Sequence, residues 1–397
     1  MINLSDRLLA MEESATIAMS RKSRELKAEG KDVISLSLGE PDFNTPDFIK
    51  AAAVEGMEQN YTKYTPVPGY DDLLQAICDK FKRDNGLSFE KNQIVVSTGA
   101  KQSIANVIMA LINPGDEVVI PAPYWVSYVE IVKVAGGVPV IVSADIDADF
   151  KITGKQLEEH ITSKTKLMMF STPCNPTGSV YSKEELKDIA DTLAKYPNIA
   201  AISDEIYEHI NFVGKHESLA QFENVKDQVI TINGVSKAWA MTGWRIGYIA
   251  APVHIAAACT KVQGQFTSGT NSIAQRAAIA ALKADVAVLD DMKAAFKGRR
   301  KLVLEALTAM PGVKVNEPEG AFYFFPDISS FFGKSYGNYT INTASDLSLY
   351  LLEEALVALV TGEAFGDPNC IRISYATSEE VLTEAMNRIA NALEKLA

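Results

Sequence analysis

The residues of this chain best suited to chemistry lie in the run SKAWAMTGWRIG, which begins at Ser236 and follows the strand-like segment VITINGV. Lys237 could condense with an aldehyde, but lysine is protonated at its usual pKa of about 10.4 and reacts only where its surroundings, such as a nearby cation or cationic ring, lower that value. Ser236 and Arg245 could donate to a phosphate group, and the guanidinium could do so in two places at once. The run predicts a pyridoxal phosphate site. Taken alone, an exposed lysine and an arginine in an ordinary ion pair would explain it more simply.

Further polar residues follow other strand-like segments. Ligands of an open α/β sheet bind beyond the carboxyl ends of its strands, so these residues are candidates for one site. After IVVS come Gly99, Ala100 and Lys101, which open a helix whose free N–H groups and positive dipole end suit a phosphate. Trp125 follows EVVIP and could lie flat on a pyridine ring, although core packing is the commoner role of such a side chain.

Two more segments add an amide, an acid and a phenol. Asn175 lies in the turn TPCNPTG, where the prolines would hold it rigidly enough to bond a ring oxygen. Asp204 ends the strand IAAIS and could pair with a protonated pyridine nitrogen, which makes the ring an electron sink. Tyr207 could donate to the phenolic oxygen. A helix N-cap region with a packed tyrosine would explain the tetrapeptide DEIY alone, but the joint occurrence of all these groups favours the cofactor site.

The elements that must position these residues form an α/β pattern. Apolar, largely β-branched runs alternate with helix-length segments, and both faces of each run are apolar, as in a mostly parallel sheet covered on both sides. We predict seven strands in one sheet of a three-layer domain, in the segments IVVS, EVVIP, VPVIVS, LMMFS, IAAIS, VITIN and RIGYIA.

The two ends of the chain depart from this alternation. Residues 1 to 44 read as a helix and an extended piece, and the C-terminal part carries a long charged helix, the strand candidates GAFYFFPD and CIRISYA, and a closing helix. A length of 397 residues favours one large domain and a smaller one. We therefore predict a large domain over 45–290 and a small α/β domain built from 1–44 and 291–397.

Composition narrows the class of function. The formal charge of −12, from 38 basic and 50 acidic residues, argues against nucleic acid or an anionic membrane as partner. The four cysteines are widely spaced and the four histidines do not cluster with them, so no metal site is predicted. The segment MINLSDRLLAMEES lacks the pattern of a signal peptide, and no apolar run reaches bilayer length. We expect a cytoplasmic protein that acts on small molecules.

Over essentially its full length, the chain resembles the class I pyridoxal-phosphate-dependent aminotransferase family, which has fold type I. The motifs that carry this resemblance, most similar to the bacterial-type aspartate aminotransferase branch, are SLGEPDFNTP, YTPVPGYDDL, PAPYWVSY, NPTG, SDEIYEHI, SKAWAMTGWRIGY and IRISYA. The resemblance implies that Lys237 binds the cofactor covalently and moves the proton, Asp204 pairs with the pyridine nitrogen, Asn175 and Tyr207 bond the ring oxygen, and Trp125 stacks on the ring.

The resemblance also implies how phosphate and substrate are held. Arg372 would grip the substrate α-carboxylate beside Gly39, with Trp125 and Asn175 lining the same position. The groups that would meet the phosphate are Gly99, Ala100, Lys101, Ser236, Arg245 and Tyr64 of the partner subunit, so a homodimer is expected. Some relatives carry a second hydroxyl two residues before Ser236, where this chain has Gly234.

The same branch meets an acidic substrate side chain with a lysine and hydroxyls, which here would be Lys101, Ser14 and Thr16. A cation and hydroxyls suit a carboxylate, so we predict amino transfer from L-aspartate to 2-oxoglutarate with ping-pong kinetics. Glu12 and Glu13 precede these hydroxyls, and their charge should disfavour larger dianions such as prephenate.

Three alternatives stay open. If Ser14 merely caps a helix and Lys101 is solvated, the enzyme would be a broad-specificity or aromatic aminotransferase. The same fold and lysine also serve lyases and decarboxylases. An effector sensor fused to a DNA-binding module is disfavoured, because the acidic charge opposes DNA binding and little chain precedes the large domain.

Overall fold

A computed structural model describes residues 2–9, 11 and 14–397 of the chain. Within this part, the strands, numbered β1 to β14 in chain order, are Ile34–Ser35, Ile94–Ser97, Glu117–Ala122, Val138–Ser143, Thr165–Ser171, Ala200–Asp204, Val229–Gly234, Gly247–Ala250, Tyr323–Phe324, Ser335–Tyr336, Tyr339–Thr340, Val357–Ala358, Val360–Thr361 and Ile371–Ser374. The α-helices of the same part, α1 to α13, are Asp6–Leu9, Ala15–Ala28, Asp47–Glu58, Asp71–Lys80, Ala100–Leu111, Ser127–Val134, Gly154–Glu159, Lys183–Leu193, Val253–Phe266, Ser272–Lys283, Asp290–Thr308, Ala344–Glu354 and Glu379–Leu393.

The predicted seven-stranded sheet is present, in the order β2-β8-β7-β6-β5-β3-β4. Its pairs are parallel except those of β8, which runs antiparallel to both β2 and β7. All residues of β2 and β8 are buried, as expected for strands covered on both faces. The prediction that RIGYIA is a strand needs one correction: β8 begins at Gly247, and Arg245 precedes it with a left-handed backbone (φ 58°). Because β8 is antiparallel, its start lies at the edge where the parallel strands end.

Helices cover both faces of the sheet, which confirms the three-layer α/β architecture. Apolar residues of α5, α6 and α9 form one core cluster with the sheet, while α7 and α8 form another with β4, β5 and β6. A third and larger cluster joins α4 and α10 to the C-terminal elements. Some helix starts have side-chain caps, as at α8, where Ser182 and Glu185 form a reciprocal capping box.

The two ends of the chain meet in the structure. β1 pairs in parallel with β12, and β13, β14 and β9 form an antiparallel sheet. Asp42 and Arg299 add an ion pair with two hydrogen bonds, at 2.7 and 2.9 Å. The boundaries at 45 and 290 stay a prediction, since the largest apolar cluster is shared by both parts. Among the described residues, no helix is both long and apolar enough to cross a bilayer.

Candidate active site

A cavity of 310 Å³ lies where the parallel strands of the large sheet end. Strands β3, β5, β6 and β7 each contribute residues that follow them, and the residue before antiparallel β8 joins from the same edge. The lining comprises Ser14, Thr16, Ile17, Gly39, Ala100, Lys101, Trp125, Val126, Ser127, Tyr128, Ser171, Asn175, Asp204, Ile206, Tyr207, Ser236, Lys237, Arg245, Tyr323 and Arg372. Most residues singled out from the sequence are therefore brought together.

Lys237 projects from the turn after β7 into this cavity. Its ammonium group donates to the carbonyl of Gly39 at 2.6 Å. Burial lowers the pKa of Lys237 to about 8, Arg372 and Arg245 act in the same direction, and Glu40 opposes them. A substantial fraction of the amine is thus neutral near pH 8, and only the neutral amine is a nucleophile.

Asp204 ends β6 and is held by a residue that sequence reasoning did not single out. The hydroxyl of Tyr128 donates to Asp204 Oδ2 at 2.8 Å, and the N–H of Ile206 donates to Oδ1 at 3.3 Å. Burial raises the pKa of Asp204 to about 6, while these two hydrogen bonds oppose the rise. The carboxylate is fixed in direction and ionised at neutral pH, which suits a group that must hold a protonated ring nitrogen.

Arg372, on β14, faces the strand-end residues from the C-terminal part of the chain. It is only 2% exposed, and its guanidinium donates to Asn175 Oδ1 at 3.0 Å and to the Ser37 carbonyl at 2.6 Å. Its Nε has no hydrogen-bond partner among the described residues. A buried cation with an unused donor is suited to an anionic ligand.

Tyr207 and Tyr323 form the wall between Asp204 and Arg372. Their hydroxyl oxygens are 2.8 Å apart, and both residues are buried. Gly39 lies against Tyr323, and a Cβ at that position would collide with the tyrosine hydroxyl. A neighbouring side chain therefore explains why this position is a glycine.

The start of α5 forms a cradle opposite Arg245. Gly99 has a left-handed backbone (φ 81°), and a Cβ there would collide with the Arg245 guanidinium. Arg245 donates to the Thr242 carbonyl at 2.9 Å, and Ser236 and Ala100 line the same end of the cavity. Free helix N–H groups, a hydroxyl and a guanidinium are the donor set that a phosphate requires.

Gly234, where some relatives carry a hydroxyl, has no room for one here. A Cβ at Gly234 would lie 2.8 Å from the Ile246 carbonyl oxygen and 3.0 Å from the Gly247 Cα. Any side chain at this position would push β7 and β8 apart.

The far end of the cavity carries the groups predicted to select the substrate. The Lys101 ammonium lies 4.9 Å from the centre of the Trp125 ring, and Ser14 and Thr16 line the cavity beside it. Partial burial of the ammonium group lowers the pKa of Lys101, and the charge of Arg245 lowers it further. Much of the side chain is nevertheless exposed. Ser14 occupies the N-cap position of α2, yet its side chain makes no capping hydrogen bond, so the hydroxyl is available to a ligand.

Two sequence expectations cannot be placed in this cavity, for different reasons. Tyr64 is 99% exposed and does not line the site of its own chain. Glu12 and Glu13 lie outside the described residues.

Sequence reasoning missed Tyr128 and Tyr323 as site residues. Both lie inside segments already singled out, PAPYWVSY and GAFYFFPD, and both side chains are fully buried in the structure. Glu205, Glu208 and His216 also converge, within 4.8 Å of one another, behind the segment that bears Asp204.

The charge of the cavity is unlike that of the whole chain. Its lining holds four cationic side chains, Lys101, Lys237, Arg245 and Arg372, and one carboxylate, Asp204. None of the four lies within ion-pair distance of a carboxylate in the part of the chain that the structure describes. The cavity is built for ligands that carry several negative charges.

Comparison with known proteins gives the same assignment as the motifs. Residues 31–389 match the family model of aminotransferase class I and II. An aspartate/prephenate aminotransferase of Cereibacter sphaeroides is 49% identical over 389 residues, 97% of each chain. The crystal structure of an aspartate aminotransferase from Rhizobium meliloti superposes with a TM-score of 0.97 at 41% identity over all of both chains. That of Thermus thermophilus aspartate aminotransferase with maleate gives 0.93 at 40% identity, covering 99% of this chain and 100% of that one. The chain belongs to the class I and II aminotransferase family.

Proposed function

We propose that this protein is a pyridoxal-phosphate-dependent aspartate aminotransferase, which moves the amino group of L-aspartate to 2-oxoglutarate and gives oxaloacetate and L-glutamate. The observation that carries the proposal is the cavity in which Lys237 and three further cations, none of them in an ion pair with a described residue, lie with one fixed carboxylate. A phosphorylated cofactor and a dicarboxylic substrate together supply the negative charge that such a cavity lacks.

The residues present fit pyridoxal phosphate. The start of α5, Ser236 and Arg245 would hold the phosphate, Trp125 would cover one face of the ring, and Asp204 would meet the ring nitrogen. When bound, the cofactor supplies an electron sink for the carbanion that forms at the substrate α-carbon. The Gly99 conformation supports this fit, because no side chain could stand between that backbone and Arg245.

The chain's own groups then have separate tasks. Arg372 binds the substrate α-carboxylate, and Asn175, bonded to it at 3.0 Å, orients the guanidinium. Lys237, with its pKa lowered to about 8, would take the proton from the substrate α-carbon once its amine is free. The same amine would then give that proton to the cofactor carbon to which the lysine had been bonded. Asp204, held by Tyr128, keeps its negative charge directed at the ring nitrogen.

Selection of aspartate would rest on the far end of the cavity. Lys101 gives a cation and Ser14 and Thr16 give hydroxyls at the side where a substrate side chain would extend. The Thermus thermophilus structure contains maleate, a dicarboxylate, which supports an acidic substrate for the similar site here. A second candidate is dual use of prephenate, since the relative from Cereibacter sphaeroides is named for both substrates.

We also propose the assembly and the domains. A homodimer is supported by Tyr64, whose 99% exposure leaves it free to reach the phosphate end of a partner's site. The meeting of the chain ends through β1 and β12 supports a small domain of 1–44 and 291–397 beside a large domain of 45–290. Four free cysteines suit a reducing cytoplasm.

The test is a paired half-reaction. The purified protein is loaded with pyridoxal phosphate, L-aspartate is added alone, and the cofactor spectrum is followed while oxaloacetate is assayed. The same half-reaction is run in parallel with L-phenylalanine and with the amino acid that transamination of prephenate would give. Fast conversion with aspartate and little with phenylalanine is expected. Comparable or faster conversion with phenylalanine would instead indicate a broad or aromatic enzyme, and release of ammonia, pyruvate or carbon dioxide would indicate a lyase or decarboxylase.

Lys101→Ser sharpens this test. Loss of one charge-assisted contact should lower kcat/KM for aspartate by about 10- to 100-fold and leave phenylalanine nearly unchanged. Cofactor affinity is measured alongside, because the backbone of Lys101 also borders the phosphate cradle. Equal losses with both substrates would remove Lys101 from side-chain recognition.

A further inference from the structure

Tyr323 contacts three residues of the candidate site: Tyr207, Arg372 and Gly39. Its hydroxyl lies 2.8 Å from that of Tyr207, and its ring lies 4.7 Å from the Arg372 guanidinium. The same hydroxyl is packed against Gly39, whose carbonyl accepts from Lys237. Tyr323 is fully buried on β9, which pairs with the strand that bears Arg372.

Tyr207 and Tyr323 carry two hydroxyl protons, but a single hydrogen bond joins their two oxygens. Burial raises the pKa of both hydroxyls, so each keeps its proton at neutral pH. One of the two protons makes the bond between them. Either hydroxyl could donate, and both tyrosines line the cavity, so the one that accepts has a proton free to point into the cavity. Tyr207 shares its segment with Asp204, which is proposed to meet the cofactor ring, so the arrangement that directs a proton at the ring is the one in which Tyr323 donates.

We infer that Tyr323 is a positioning residue that donates to the Tyr207 oxygen and thereby directs the Tyr207 proton at the ring oxygen of the bound cofactor. The inference rests on the proposed function, since it needs that oxygen as an acceptor. A hydroxyl that accepts a hydrogen bond is also a stronger donor, so the contact strengthens the bond that Tyr207 makes.

The packing keeps this donor in place. Gly39 and Tyr207 both lie against the Tyr323 hydroxyl, and the Arg372 guanidinium lies over the ring. The tyrosine thus has two separable roles: its hydroxyl acts on Tyr207, and its ring supports Arg372.

Tyr323→Phe separates them, because it deletes the hydroxyl and keeps the ring. The protein is loaded with pyridoxal phosphate and the absorbance of the bound cofactor is titrated against pH. In this variant Tyr207 is a weaker hydrogen-bond donor, so more negative charge stays on the ring oxygen of the bound cofactor. That charge stabilises the neighbouring proton on the nitrogen that links Lys237 to the cofactor. The midpoint should rise by roughly half a pH unit. Tyr207→Phe should move it further in the same direction.

Tyr375→Phe is the matched control. It removes another buried hydroxyl, which donates to the Ala321 carbonyl at 3.1 Å outside the cavity, and should leave the midpoint unchanged. Tyr323→Leu also removes the ring and should raise KM for aspartate several-fold beyond the value for Tyr323→Phe.

The outcomes distinguish the inference from the proposed function. A wild-type midpoint in Tyr323→Phe, with a raised one in Tyr207→Phe, overturns the inference alone. Failure of the wild-type protein to take up the cofactor overturns the proposed function and this inference with it, whereas an unchanged midpoint in Tyr207→Phe overturns the ring-oxygen role of Tyr207 and this inference but not the proposed function.

Discussion

Two charged regions lie on opposite sides of the segment 204 to 209. They differ in whether their cations form ion pairs with carboxylates. The candidate active site presents Lys237, Arg245 and Arg372 to a cavity without a partner carboxylate among the described residues. Behind the same segment, Lys80 is in an ion pair with Glu208, and His216 lies 3.0 Å from Glu205.

The second region is a network of ion pairs and hydrogen bonds among side chains. The Lys80 ammonium also donates to Asn85 Oδ1 at 2.9 Å, and Asn85 donates to Glu208 at 2.9 Å. Burial alone would raise the pKa of the Glu208 carboxyl. The Lys80 ammonium is the largest effect in the other direction, and the pKa lies well below its usual range. Glu205 accepts from two serine hydroxyls, at 2.9 and 2.7 Å.

The difference indicates how to read buried charge in this fold. A buried ion whose partners are other side chains of the chain contributes to the folded structure, and removing one partner is costly. A buried ion that lacks such a partner costs stability and is retained for a ligand. Three predictions test this distinction.

The largest effect is expected at the catalytic amine. Lys237→Ala should slow the half-reaction with L-aspartate by at least about 10³-fold, because no other cavity amine can replace the proton carrier. Stopped-flow spectroscopy of the loaded protein measures the rate, and Lys166→Ala, at an exposed lysine of β5, is the control. Appreciable turnover in Lys237→Ala would contradict the assignment.

The next effect concerns stability. Lys80→Met should lower the free energy of unfolding by about 3–5 kcal/mol, since it leaves Glu208 buried without its cation. Lys237→Met should not lower it, because the variant loses no ion pair with a described residue, and removing a buried cation offsets the loss of the hydrogen bond to the Gly39 carbonyl. Urea unfolding of the cofactor-free proteins measures both. Lys82→Met, at the exposed residue next to Phe81, should change the value by less than about 0.5 kcal/mol. Equal losses in Lys80→Met and Lys237→Met would remove the distinction between the two regions.

The smallest effect is a pH dependence. The pKa of Lys237 is about 8 in the folded protein against 10.5 for a free lysine, so between these values the unfolded chain binds more protons. The folded state therefore gains stability from this residue as pH rises from 8 to 10.5, and the full cost of the buried cation is present below pH 8. The gap in unfolding free energy between Lys237→Met and wild type should narrow across that window. A gap that stays constant from pH 7.5 to 10.5 would show that the lysine has an ordinary pKa.

Much of the site could be predicted because its residues follow strands. Lys237, Asp204 and Asn175 lie within four residues of the ends of apolar runs, and the rule that ligands bind at the carboxyl ends of strands brings them together without any knowledge of packing. Their chemical roles remain predictions from the family resemblance. The seven long strands were equally accessible, since each has an uninterrupted apolar run.

What the sequence could not supply depends on contacts over long separations. Tyr128 and Asp204 are 76 residues apart, and Tyr207 and Tyr323 are 116 apart, so no local pattern predicts that their oxygens meet. The two-residue strands β1 and β12 are too short for any periodicity. Arg245 lies before β8 rather than in it because a left-handed turn, which an arginine seldom adopts, ends the preceding loop.

The parts of the cavity come from different stretches of the chain. Residues between 99 and 245 form the cradle and the lysine, whereas Ser14, Thr16, Gly39, Tyr323 and Arg372 come from the two ends. Under the proposed function, Ser14 and Thr16 are the terminal residues placed to meet the substrate side chain, whereas Gly39, Tyr323 and Arg372 serve parts of the reaction common to every amino acid. A library aimed at new specificity should therefore be concentrated at Ser14 and Thr16 together with Lys101, not spread over both ends of the chain.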